Sequence, residues 1–204
     1  MSYGPDNIHV LTAEEAIQKR PGMYLGDVSA LGVARLIGMA VDVLAALVAN
    51  RETGPTFAYH AFLDVTLSDR EANVLIDYHP NECTDFSVRC ESLAANRHRM
   101  RPDQYALEQG QNAVAPIAIL DALTTNLSIF SSSGDNVKIV LETGISEAPS
   151  KPSPIKGALI GARFRIREII DTSDVHQDYF EGFLQGGRKV PGLIVRNVAL
   201  EPPG

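Results

Sequence analysis

Apolar residues between Leu31 and Asn50 recur at helical spacing: Val33, Leu36, Ile37, Ala40, Val41, Leu44, Leu47 and Val48 fall at i, i+3 and i+4. Arg35 and Asp42 are the only charges in that run, so the pattern predicts a mostly buried helix. A shorter helix is expected before it. Thr12-Ala-Glu-Glu15 is a capping box, with a hydroxyl at the first position and a carboxylate three residues on, and the helix it starts runs to Lys19 or Arg20. Between the two lies Lys19-Arg-Pro-Gly-Met-Tyr-Leu-Gly26, read as a sharp corner because Pro21-Gly22 cannot continue a helix.

The period then changes. Tyr59, Ala61, Leu63, Val65 and Leu67 alternate with His60, Asp64 and Thr66, which predicts a half-buried strand. Ser68–Glu71 is its turn and Asn73–Tyr78 the antiparallel return. From His79 to Gly110 no period survives, and the basic cluster Arg97–Arg101 reads as a solvated face. Ala113–Thr124 is apolar enough for a buried helix. Leu127–Ser131 and Val137–Thr143 form a second hairpin, and Glu147–Lys156 a Pro/Ser-rich connector. Ala162–Arg167 is a further strand, Val175–Gln185 a helix with Tyr179, Phe183 and Leu184 inward, and Leu193–Val198 a last strand. Hairpins with helices segregated between them predict a two-layer α/β sandwich, a mixed sheet with helices on one face.

Composition narrows the function classes. The 204 residues suit a single domain. A net charge of −7 argues against direct DNA binding. No charged leader precedes an apolar run, so neither signal peptide nor membrane span is expected, and the location is expected to be cytoplasmic. Cys83 and Cys90 are read as two thiols rather than a disulfide.

The corner with its flanking helices resembles the start of the ATPase domain of the DNA gyrase B subunit and its type II topoisomerase relatives, a GHKL fold. The resemblance extends over nearly the whole chain. Residues 1–11, with Tyr3 and Ile8, look like the family's N-terminal arm, and 12–204 like its core. Nothing resembles the transducer, cleavage or DNA-gate domains. The family's glutamate that activates water and its Mg²⁺-holding asparagine, four residues apart, fall on Met39 and Val43, and neither side chain can do either job. Asp77 falls on the adenine-binding aspartate, as a vestige of that site or simply as a polar strand end. The family's following Gly-x-Gly is replaced by His79, Pro80 and Asn81. Of its glycine-rich phosphate-cradling entry only Gly110 remains before Pro116, and its adenine-site threonine is Ala162.

The resemblance therefore implies a pseudo-ATPase with no cofactor, no metal and no catalytic residue. Such a domain would act through protein–protein contact, as a homodimer exchanging arms through Tyr3 and Ile8 or as a heterodimer with a gyrase-type subunit; the alternative for the arm is that it folds back onto its own domain. The alternatives are a small-molecule-binding protein or enzyme with a repurposed nucleotide pocket, and a divergent active ATPase. His79, Asp77, Asp85 and the cysteines lie near that pocket in sequence without metal spacing or a nucleophile–base motif.

Overall fold

The computed structural model describes residues 11–49, 56–79, 81, 86–96, 114–133, 136–144, 158–186 and 190–201. Helix α1 (Ala13–Lys19) begins at the expected capping box: the Glu15 N–H donates to Thr12 Oγ1 at 3.2 Å, and the Thr12 N–H to Glu15 Oε2 at 2.7 Å. The corner differs from expectation. Pro21 opens a second short helix, α2 (Pro21–Leu25), because proline at the first helical position forfeits an N–H that has no partner there anyway. Gly26, at φ +74°, then ends it in the left-handed conformation.

Helix α3 (Ala30–Val48) is the core of the helical layer, with Leu36, Ile37, Val43 and Leu44 fully enclosed. It is long and apolar enough to cross a membrane, yet 78% of that stretch is buried against the rest of the protein, as befits a core helix. Arg35, one of its two charges, turns back onto the corner and donates from Nη1 to the Leu25 carbonyl at 2.5 Å. Helix α4 (Phe86–Asn96), which lies in the stretch without visible period, sends the buried Arg89 to the end of α3. Its Nη1 donates to the carbonyls of Leu47 at 3.3 Å and Ala49 at 2.6 Å, orphan acceptors of a helix terminus.

Six strands form one sheet: β1 (Ala61–Ser68), β2 (Glu71–Tyr78), β3 (Thr124–Ser133), β4 (Asn136–Glu142), β5 (Ala158–Ile166) and β6 (Leu193–Glu201), in spatial order β4-β3-β5-β2-β1-β6. Every neighbouring pair is antiparallel except β1 with β6, so the sheet is mixed as expected. Pairing places Leu63 opposite Ile76 and Val65 opposite Val74, and Val74 opposite Ala162 on the next strand. These residues are buried and make the face that the helices cover. Helix α5 (Val114–Leu123) packs against α1 and α3.

Helix α6 (Gln177–Gly186) departs from the expected inward face. Phe180, not Tyr179, is the fully buried aromatic, with Leu184 one turn on, and Tyr179 is exposed. The true inward stripe is 180, 183 and 184, an i, i+3, i+4 set, so admitting 179 turns the face too far. At the N-terminus of α6, Gln177 closes part of the outer edge of β6: its amide donates to the Val198 carbonyl and accepts from the Leu200 N–H at 3.0 Å.

Candidate functional site

Met39 and Val43 stand one helical turn apart on α3, so they share a side of the helix. Val43 is wholly enclosed and Met39 is only 9% accessible; both belong to the hydrophobic core. Ala162 on β5 is likewise buried, and pairs in register with Val74 and Ile129, both fully enclosed. The residue before it, Gly161, points to the opposite face. A Cβ there would lie 2.6 Å from the Phe130 ring and 2.7 Å from Leu75, so close packing of those two side chains requires the glycine.

The direction in which Asp77 points is decided by the register of β2. Ala72, Val74 and Ile76 face the helices; Asp77 is one residue out of phase and sits on the other face, paired in register with Phe62 on β1 and Leu159 on β5. The fully buried Ile76 is the neighbouring helix-facing residue. On its own face, Asp77 accepts a hydrogen bond from Arg196 Nη1 at 3.3 Å. The same guanidinium is held by both oxygens of Asp64, with Nε 2.9 Å from Oδ1, and its carbon lies 5.4 Å from the centre of the Phe62 ring. A bulge makes this possible. Leu63 pairs with Val195 and Asp64 with Asn197, so Arg196 is the extra residue of β6 and leans over β1. The hydrogen bonds that Arg196 donates to Asp64, and then the charge of that carboxylate, hold the Arg196 pKa above the ordinary arginine value.

His79 stacks on Tyr59, ring centres 4.4 Å apart, and its Nδ1 accepts from the Asn81 N–H at 3.3 Å. Its stacking partner lies twenty residues earlier in the chain, and its hydrogen-bond partner two residues on. Tyr3, Ile8, Pro80, Cys83, Asp85, Arg97–Arg101 and Gly110 lie outside the described residues; Cys90 is buried in α4. Among the described residues, no group of three His, Cys, Asp or Glu side chains is placed to hold a metal ion. What α3, β2 and β5 bring together is hydrocarbon: Met39, Val43, Ile76 and Ala162 offer no proton acceptor and no oxygen ligand. The sequence pattern does not mark out Arg196, Ile76 or Arg89 as site residues. Arg196 carries a weak signal, a charge interrupting an apolar strand, but its partners lie on two other strands.

The fold is a two-layer α/β domain, a mixed sheet with one helical layer. No family model matches the chain. By sequence it is similar to the DNA gyrase B subunit of Mycolicibacterium smegmatis, 29% identical over 126 residues, covering 61% of this chain and 18% of that one. The Micrococcus luteus gyrase B subunit is 35% identical over 123 residues, covering 60% and 17% respectively. The B-subunit of the DNA gyrase from Myxococcus xanthus shares the fold, with a TM-score of 0.53 at 18% identity over 91% of this chain and 52% of that structure. The matched stretch spans less than a fifth of the two curated relatives.

Proposed function

We propose that this chain is a non-catalytic domain on a gyrase-B-like scaffold that acts by binding other protein chains in the cytoplasm. The observation that carries the reading is the apolar enclosure of Met39 and Val43 at the positions where the resembling family has its base and its Mg²⁺ ligand. A carboxylate can take a proton from water and an amide oxygen can hold a hard cation; a thioether and an isopropyl group do neither. Asp77 supports the same reading, because its carboxylate is engaged with Arg196 on the face away from the helices.

The partner is a second copy of the chain, or a gyrase-type subunit, engaged through the arm that carries Tyr3 and Ile8. Each of those side chains contributes roughly 1.5–3 kcal/mol if fully buried in a neighbour. Exchange between two copies is reciprocal and closes on itself, which favours a two-fold homodimer.

Two measurements test the catalytic half. Purified protein with ATP and Mg²⁺ should release phosphate no faster than buffer, and calorimetry should give an ATP affinity no tighter than about millimolar, each lost phosphate contact costing about 1.5–3 kcal/mol. Mg²⁺-dependent turnover that co-elutes with the protein, or micromolar ATP binding, would overturn the reading. For the interaction half, the natural lysate should yield this same chain or a gyrase-type subunit with the tagged protein.

A further inference from the structure

A cavity of about 400 Å³ opens between α3, α6 and the β1/β6 side of the sheet, about a third of a turn round α3 from Met39 and Val43. That volume lies within the range of small-molecule sites. Gly38 and Val41 belong to its α3 wall, Phe183 and Leu184 close it from α6, and Leu63 and Val195 line it from the strands. Phe183, Val190, Leu193 and Val195 pack against the core yet stay only partly buried, so hydrocarbon is left facing this space. Covering such surface is favourable in proportion to the apolar area taken out of water.

The polar groups of the wall are already engaged. The Val190 carbonyl accepts from the Leu193 N–H at 3.0 Å, that of Pro191 from the Phe57 N–H at 2.9 Å, and that of Gly192 from the Ala61 N–H at 2.9 Å. Asp42, the one ionisable side chain among the described lining residues, also has a partner within the protein. A charged head group entering here would shed its hydration and meet no free counter-group.

Gly38 bears directly on the space. Glycine is a poorer helix former than alanine, yet it stands inside the buried α3. A Cβ there would meet only the Phe183 ring, at 3.5 Å, an ordinary contact. Neither helix geometry nor close packing demands a glycine at this point; its effect is to leave room beside Phe183.

We propose that this cavity is a binding site for a small uncharged molecule, a short alkyl or alkyl-aromatic body that lies against Phe183, Leu184 and Val195. Such a ligand covers the half-buried hydrocarbon and asks for no hydrogen bond or charge that the wall would have to surrender elsewhere.

The test titrates toluene, ethylbenzene and propylbenzene into the full chain with labelled Val and Leu methyl groups, followed by NMR. Phenylpropylamine and phenylpropionate serve as charged counterparts. Propylbenzene should bind saturably, and each methylene along the series should tighten binding about fourfold. Both charged counterparts should bind at least about tenfold more weakly. The methyl signals of Val41, Leu63, Leu184 and Val195 should shift, while those of Leu127 and Leu141, on the β3/β4 side of the sheet, should not. Gly38→Leu, which fills the space, should abolish binding while the thermal transition stays cooperative. Should that variant fail to fold, the methyl map of the unaltered chain still decides. Absence of saturable propylbenzene binding overturns the proposal. So does equal affinity for a charged counterpart, a set of shifts centred on other methyl groups, or undiminished binding to folded Gly38→Leu.

Discussion

Arg196 reaches from β6 across β1 to within 3.3 Å of Asp77 on β2, on the face of the sheet turned away from the helices. The one acidic residue that matches the resembling family's adenine ligand thus takes part in a cross-strand ion cluster. The cluster is partly exposed, the Arg196 side chain being 44% accessible, so its net contribution is small. Asp77→Asn is expected to destabilise the fold by no more than about 1 kcal/mol, and less in molar salt, where exposed pairs are screened. Denaturant titration at two ionic strengths measures this. A salt-independent loss several times larger would show that Asp77 has another role.

Gly26 and Arg35 form a second coupled pair. A Cβ on Gly26 would come within 1.8 Å of Arg35 Nη1, and the φ of +74° is itself costly for an L side chain. Gly26→Ala is expected to cost about 2–4 kcal/mol, combining the backbone strain with displacement of the guanidinium from the Leu25 carbonyl. In the Arg35→Ala background the same change should cost about 1–2 kcal/mol, since only the backbone strain remains. Additive effects in that double-mutant cycle would contradict the steric coupling.

Rebuilding the resembling family's residues should damage the core before it restores chemistry. Val43→Asn places an amide in a fully enclosed site and is expected to destabilise by about 2–4 kcal/mol. Met39→Glu should also destabilise, with the loss growing as pH rises and the buried carboxyl is forced to ionise. Thermal melts between acidic and neutral pH read both effects. Neither variant is expected to gain ATP turnover, because the remaining site is apolar.

Asp27 makes the corner sensitive to acid. The Ser29 hydroxyl, then the Val28 N–H, donate to its carboxylate and hold its pKa below the ordinary aspartate value. A depressed folded pKa means that the unfolded chain binds the proton more readily. The contribution is therefore present above the unfolded value of 3.8 and is lost as pH falls through the folded one. Asp171, which accepts from the Ser173 N–H at 2.9 Å, has its pKa lowered in the same direction. Below about pH 4, Asp27→Asn should flatten the fall of stability with acid and leave its slope near neutrality unchanged. An unaltered acid limb would rule out this contribution.

Arm-mediated assembly predicts a change of mass. Light scattering should report a dimer for the full chain and a monomer for Tyr3→Ala/Ile8→Ala, with the same circular dichroism spectrum. Equal masses at all concentrations would remove the arm from assembly.

Local information is enough for the elements whose causes are local. The Thr12–Glu15 box, the α3 stripe and the alternation of β1 and β2 are legible because each is written within a few residues. Helix α4 is not: its amphipathic signal is weak, and the reason for its buried Arg89 is a set of carbonyls on α3, some forty residues earlier. The residue types at Met39, Val43 and Ala162 can also be read in the sequence, and none of these side chains carries a proton acceptor or an oxygen ligand. Which face Asp77 takes cannot. A strand's side chains alternate with a period of two, so one residue of register moves a carboxylate from the helix side to the open side. Only the pairing of β2 with β1 and β5, together with the bulge that delivers Arg196 from β6, fixes that choice. The cavity beside Gly38 is settled in the same way. It lies where Phe183 of α6, distant in sequence from α3, stands over a residue with no side chain, and packing at that range leaves no mark on the local pattern.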